Sequence, residues 1–294
     1  MFTVALIQQI DLLDRSGHTR TVETYRTSLN NFLRFRNGED LPLEALDAAI
    51  IHGYERWMRE KRGLMRNSRS FYMRTLRAYW HKALEGREPA SDPFRDVYTG
   101  VDKTVKRAIP LSAVKQLVAL PLEGEKAWAR DLFLFSFYTR GMSFIDMALL
   151  RKADLCGDVL SYCRRKTGQR LVIRWESCMQ EIVDRWGPNP TPYLLPIITQ
   201  TDRPVRVQYK YAIAKVNERL HELGDRLNLP SPLTMYVARH SWASAAHSRH
   251  IPLAVISEAL GHESERTTAI YLASLDKRQI DDANRTVLQE LNVL

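Results

Sequence analysis

Residues 128–175, WARDLFLFSFYTRGMSFIDMALLRKADLCGDVLSYCRRKTGQRLVIRW, decide the fold class. In the first half the apolar side chains are too dense for one face of a helix, so a helix here is buried on most sides, and Arg140 with Gly141 interrupts it. From Asp158 to Trp175 short β-prone runs alternate around Thr167, Gly168 and Gln169, which reads as a hairpin and the only convincing sheet in the chain. Everything beyond it, to Leu294, reads as helix or loop. A chain with one small hairpin among long helical stretches is mainly α.

Upstream, the opening MFTVALIQQIDLLDRSG has no basic lead before its apolar patch and reads as a first helix, not a signal peptide. Val22, Tyr25, Leu29, Phe32 and Leu33 recur at spacings of three and four, predicting an amphipathic helix over Thr21–Phe35. A further helix is expected over Leu41–Glu60, entered through Pro42, and another from Arg66 to Leu84. In the last of these Tyr72, Leu76, Tyr79, Trp80 and Ala83 form one face, and Arg66, Ser70, Arg74 and Arg77 another. From about residue 86 the pattern dissolves into GREPASDPFRDVYTGVDKTVKRAIP, which reads as a linker and sets a domain boundary near residue 105. Two domains are therefore expected, 1–105 helical and 106–294 mixed but mostly helical.

The chain carries 43 Lys plus Arg against 34 Asp plus Glu, a net charge of +9. A disordered acidic protein is excluded and a polyanionic partner becomes plausible. Between Arg56 and Arg87 stand ten Lys or Arg and two Glu, the density of a helix that meets phosphates or of a solvated helix face. Three cysteines without metal-site spacing predict free thiols and an intracellular protein. No apolar run is long enough to span a membrane.

Arg140, at the end of an apolar helix, needs an anion or a carboxylate such as Asp146 to offset the cost of burying a guanidinium. Arg239, in the apolar stretch after Thr234, a candidate N-cap, poses the same problem. Two such arginines can share one anion, and a phosphate diester suits their planar forks. Lys166 precedes the hairpin turn. Pro252 opens a helix that Gly261 closes as a left-handed cap, with His262 just past it and Ser264 ahead of a short helix carrying Tyr271.

In this order, Arg140 in TRGMSFIDMALL, Lys166 in RRKTG, Arg239 in YVARHSWAS, His262 in LGHES and Tyr271 in TTAIYLASL resemble the tyrosine recombinase (phage integrase) family. The resemblance covers about residues 105–285 by motif, and residues 15–105 more weakly, as the family's helical, SAM-like core-binding domain. Three residues before the second arginine, where the family's motif has His, this chain has Tyr236. A phenol, with a reference pKa near ~10 against ~6.5 for imidazole, is a poor base at neutral pH, which leaves Tyr236 a supporting role.

The resemblance implies that Tyr271 attacks a DNA phosphodiester to form a 3′-phosphotyrosyl bond. It implies that Arg140 and Arg239 offset charge on the non-bridging oxygens, that Lys166 protonates the leaving 5′-oxygen, and that His262 binds the phosphate or assists the proton of Tyr271. It further implies double-stranded DNA with specific sites as partner, Arg66, Arg74 and Arg77 as DNA-binding residues, and a tetrameric homo-oligomer on DNA. Integration, excision and inversion are all open. It implies no cofactor and no divalent metal, and a cytoplasmic, nucleoid-associated place of action. Ile280, Ala283, Val287, Leu288 and Leu291 follow helical spacing, so a tail helix is expected to pack on its own domain or on a neighbouring protomer. A type IB topoisomerase-like enzyme and a non-catalytic DNA-binding accessory protein are the alternatives.

Overall fold

The computed structural model describes residues 1–17, 19–84, 91–102 and 107–272. The chain divides into two compact units, Met1–Thr104 and Val105–Leu294. The first holds α1 (Phe2–Arg15), α2 (Thr19–Phe35), α3 (Ala48–Glu60) and α4 (Arg66–Ala83).

Each of these helices buries one stripe. Phe2, Leu6 and Ile10 come from α1, Leu29 and Phe32 from α2, Ile51, Tyr54 and Met58 from α3, and Met73, Leu76, Tyr79 and Trp80 from α4. Phe2 meets Phe32 and Tyr79 edge-on at centroid distances of 5.5 and 5.2 Å, and Phe32 meets Tyr54 at 5.2 Å. Asn31 donates to the buried Tyr54 hydroxyl at 2.7 Å, so the one polar atom of that ring is satisfied.

Three expectations for this unit are corrected. The helix expected over Leu41–Glu60 begins only at Ala48. Pro42 leads a single 3₁₀ turn, Leu43–Ala45, after which Leu46 and Asp47 are extended and the Asp47 carboxylate caps α3 by accepting from Ile50 N. Ser70 does not belong to a polar face. It is buried and donates to the Gly100 carbonyl at 2.5 Å. The stretch read as linker is, over its described residues 91–102, packed against α4: Phe94 and Val97 enter the first core, Asp92 accepts from Phe94 N and Arg77, and Asn67 holds both the N–H and the C=O of Asp102. Aperiodic sequence hid two apolar anchors three residues apart.

The second unit holds α5 (Leu111–Ala119), α6 (Gly124–Tyr138), α7 (Phe144–Ala148), β1 (Leu155–Cys156), β2 (Val159–Cys163), β3 (Arg170–Arg174), α8 (Ser177–Trp186), α9 (Val205–Arg226), α10 (Met235–His247), α11 (Leu253–Leu260) and α12 (Glu265–Leu272). Helix α6 is the centre, with every residue from Ala129 to Ser136 buried. Its buried Asp131 accepts from Arg130, from Arg185 at 2.8 Å and from the Trp186 indole at 2.9 Å, which ties α6 to α8.

The hairpin carries a short third strand, so the sheet runs β1-β2-β3, antiparallel throughout, with Leu160 opposite Ile173 and Tyr162 opposite Leu171. Those four side chains form its buried face, and the alternation visible in the sequence is this face. A smaller cluster of Ala243, Ile256, Leu260 and Leu272 joins α10, α11 and α12. Among the described residues no helix is long and apolar enough to cross a membrane, and no group of three or more His, Cys, Asp or Glu side chains could hold a metal ion. All three cysteines are free.

Candidate functional site

Four local events bring distant residues together. Helix α6 ends in two successive left-handed residues, Arg140 at φ 61° and Gly141 at φ 77°. Gly141 N donates to Ser136 O at 2.7 Å, and Ser136 Oγ to Met142 O at 2.7 Å, and these bonds hold a conformation that arginine does not favour on its own. The reversal lays Gly141 against α10. A β-carbon added there would sit 2.7 Å from the Arg239 α-carbon, so only glycine permits the approach.

Arg239 is buried on α10 and held by three contacts. Its Nη1 donates to Gly141 O at 2.9 Å, and its Nη2 donates to Leu260 O at 2.5 Å and lies 3.0 Å from His262 Nε2. Thr234 occupies the N-cap position, but its hydroxyl makes no cap bond. Met235 N is met instead by the Asn217 side chain at 2.9 Å, and Thr234 Oγ1 has no partner among the described residues.

His262 follows Gly261, which ends α11 in the left-handed region at φ 63°. Burial, with Arg239, Arg164 and Lys166 adding to it, pulls its pKa down to about 4, so the ring is neutral at pH 7. A neutral ring whose Nε2 faces Arg239 accepts that N–H, which leaves Nδ1–H to donate to Thr268 Oγ1 at 2.7 Å. His262 therefore orients Arg239 and ties α12 to it.

Lys166 is exposed in the β2–β3 turn, which is closed by Arg164 N on Gln169 O and Gly168 N on Arg164 O, both at 2.8 Å. Tyr236 is 50% exposed, its ring edge-on to His240 at 4.4 Å, and His240 is likewise held near a pKa of about 4 by burial and by Arg239 and Arg107.

A cavity of about 580 Å³ gathers these groups: Lys166, Tyr236, Arg239 and His262 line it together, with Arg164, Thr167 and Thr234. Sequence reasoning missed the last three. The signal for Arg164 was a third arginine beside a β-run, which looks like any solvated hairpin residue until its burial is seen.

Arg140 is not among the lining residues. It is half-buried, with Nη1 3.4 Å from Val172 O, and Asp146 is not its partner: that carboxylate accepts from Ser143 Oγ at 2.6 Å and Arg165 N at 2.9 Å. The expected cost of burying Arg140 does not arise. Tyr271 falls on the last turn of α12, anchored by the buried Leu272, and its side chain lies outside the described residues. The expected tail helix also lies outside them.

The three candidate DNA-binding arginines differ. Arg66 stacks on the Tyr98 ring at 3.7 Å and reaches Asp102 at 3.4 Å, Arg77 pairs with Asp92 at 3.0 Å, and Arg74 is exposed.

The two depressed imidazoles have a consequence for stability. Between pH about 4 and 6.5 an unfolded chain binds protons on His240 and His262 that the folded unit refuses, so their contribution is complete above pH 6.5 and is lost as pH falls through that window. The unfolding midpoint is expected to be flat from pH 7 to 8 and to fall from pH 6.5 to 5, with a shallower slope in His262→Gln. An unchanged slope in that variant would mean that His262 titrates as a free imidazole.

Comparison with known proteins finds matches in both units. Residues 1–99 match the phage integrase SAM-like domain, and residues 204–278 match the phage integrase family. The chain is 24% identical over 269 residues to tyrosine recombinase XerD of Xanthomonas axonopodis pv. citri, covering 86% of each. It is 28% identical over 296 residues to tyrosine recombinase XerC of Nitrobacter winogradskyi, covering 93% of this chain and 89% of that one. In fold it is similar to the Tn1549 transposon integrase in complex with circular intermediate DNA, with a TM-score of 0.70 at 15% identity over 98% of this chain and 99% of that one. It is similar also to a lambda integrase dimer bound to a COC′ core site, with a TM-score of 0.65 at 15% identity over 91% and 94%.

Proposed function

The chain belongs to the tyrosine recombinase (phage integrase) family, and we propose from that premise that it cuts and rejoins double-stranded DNA at specific recombination sites, with Tyr271 as nucleophile. The Tyr271 oxygen attacks phosphorus, the bond from phosphorus to the 5′-oxygen breaks, and the DNA 3′-phosphate becomes a phosphotyrosyl ester. The partner strand's 5′-hydroxyl then reverses the step on the new junction. Bond energy is kept in the ester, so no nucleotide cofactor is consumed.

The observation that carries this reading is the shared cavity of Lys166, Arg239 and His262. Arg239, preorganised by two carbonyls and a neutral imidazole, supplies donors for the charge that develops on the non-bridging oxygens without having to reorganise. Arg140 is proposed to add a second fork from the neighbouring α6 terminus. Lys166 donates the proton that the strongly basic 5′-alkoxide requires. Tyr236, Thr234 and Thr167 offer hydroxyls to the phosphate, and His262 sets the orientation of Arg239.

In the first unit Arg74 is the exposed arginine for backbone contact, and Arg66 and Arg77 reach DNA by exchanging a carboxylate for a phosphate. The 1–105 domain is proposed to bind the core of the site and the 106–294 domain to carry the chemistry. Four protomers are proposed to assemble on two duplexes in the cytoplasm, with a tail helix packing on a neighbour.

The test uses a duplex enriched from a randomised pool on the full chain and then nicked inside the bound segment, so that the cleaved end diffuses away. A protein–DNA adduct with a free 5′-hydroxyl on a denaturing gel, and a two-duplex complex on a native gel, are expected. DNA bound but never linked would make the chain an accessory protein. Site-independent relaxation of supercoiled plasmid would make it topoisomerase-like.

A further inference from the structure

Arg164 is 7% exposed, in the first position after β2, and its Nη1 donates to the carbonyl of Gly261 across 97 residues of sequence. Burying a guanidinium against one neutral carbonyl is a poor way to gain stability, since the desolvation of the charge outweighs such a bond. Its effect is geometric. Arg164 is also the residue whose N–H and C=O close the hairpin turn, on Gln169 O and from Gly168 N, so whatever holds its side chain holds the turn that carries Lys166.

The other end of the bond is equally constrained. A β-carbon on Gly261 would lie 2.7 Å from Arg164 Cδ, 3.1 Å from Gln169 Oε1 and 3.3 Å from Leu171 Cδ1, so three hairpin residues seat on that one glycine. Gly261 precedes His262 directly, and His262 contacts Arg239. The chain of contact runs from hairpin to Gly261 to His262 to Arg239, and both of its ends line the same cavity.

We infer that Arg164 is a positioning residue for the leaving-group acid: its bond to the Gly261 carbonyl fixes the hairpin turn, and with it Lys166, relative to Arg239 and His262. This deepens the reading given above, in which Lys166 protonates the departing 5′-oxygen, and rests on it. The distinction from a purely structural arginine is chemical. If Arg164 acts through Lys166, its loss matters only while an acid is needed.

The experiment compares Arg164→Met, Arg164→Lys and Lys166→Ala, all in the full chain, on two nicked duplexes that differ only in the scissile linkage. One carries the ordinary 5′-oxygen and the other a bridging 5′-sulfur, whose thiolate leaves without protonation. On the oxygen substrate Arg164→Met is expected to cleave about 10²-fold more slowly, the lower end of what an acid contributes. On the sulfur substrate it is expected to return to within about threefold of the unsubstituted chain, as is Lys166→Ala.

Arg164→Lys, which keeps one donor for the carbonyl without the planar fork, is expected to fall between, and it carries the same comparison should the methionine variant not fold. The double variant Arg164→Met/Lys166→Ala is expected to be no slower than Lys166→Ala alone. Rescue of Lys166→Ala without rescue of the Arg164 variants, or an additive double variant, overturns this inference and leaves the acid in place. Failure to rescue Lys166→Ala itself overturns the acid and this inference with it.

Discussion

Tyr271→Phe is expected to bind the enriched duplex with unchanged affinity and to form no covalent adduct, a loss on the order of 10⁵-fold or more, the scale on which removing a nucleophile acts. The substitution deletes one oxygen and keeps the ring, so the helix that bears it has no new volume to accommodate. That helix is held by groups other than Tyr271: Leu272 is buried in the small cluster with Ala243, Ile256 and Leu260, and Thr268 accepts from His262. DNA affinity comes mostly from cations along the phosphate backbone, which the variant leaves intact. A denaturing gel for the adduct beside a native gel for the complex separates the two quantities. An adduct that survives in Tyr271→Phe would assign attack to another hydroxyl, and the cavity-lining Tyr236 is the first to test.

The parts of this molecule that were legible in the sequence are those whose cause is local. The density of apolar residues from Leu132 to Phe135 announced a helix buried on most sides, and it is the centre of the second core. The β-prone runs around Thr167, Gly168 and Gln169 announced the hairpin, whose buried face is made by Leu160, Tyr162, Leu171 and Ile173. Pro252 and Gly261 marked both ends of α11 because each constrains its own backbone.

What stayed illegible depends on a partner far along the chain. Nothing near Arg239 says that the carbonyls of Gly141 and Leu260 will engage it, and nothing near Phe94 says that a stretch without periodicity will enter the core of the first unit. Burial misled at Arg140 for a related reason. The helix before it is buried, but two left-handed residues turn the chain at its end and release the side chain to a half-buried position. Order along the sequence pointed to the family, while the contacts of Arg164 with Gly261 and of His262 with Arg239 and Thr268 appear only in the folded chain.

The two arginines thus differ in how firmly they are held, and in the proposed reaction that difference bears on catalysis. Arg239 is clamped on two carbonyls and an imidazole, the arrangement of a donor that waits in place for charge to develop. Among the described residues Arg140 has one long contact, to Val172 O, and its position is set by its backbone instead. Gly141 touches both arginines, Arg140 through the peptide link and Arg239 through its carbonyl and α-carbon.

Gly141→Ala is accordingly expected to damage cleavage more than removal of either arginine would, by about 10³-fold or more, where losing one donor of this kind typically costs ~10²–10³. Two penalties combine. Alanine at φ 77° costs about 1 kcal/mol or somewhat more in backbone strain, and its methyl would stand 2.7 Å from the Arg239 α-carbon, a backbone atom that no rotamer change can move. The strand of chain carrying Arg140 and the helix carrying Arg239 must separate, and the Gly141 O to Arg239 bond at 2.9 Å lengthens with them. Gly157→Ala is the matched control. It has φ 60° with nothing within 4 Å of the added carbon, so it pays the strain alone and is expected to lower the unfolding midpoint by about 2–4 °C with cleavage unchanged. A Gly141→Ala chain that melts and cleaves like Gly157→Ala would show that the close approach of α10 to this turn plays no part in setting the two guanidinium groups. A chain that melts only slightly lower yet fails to form the adduct would place the effect in the geometry of the site.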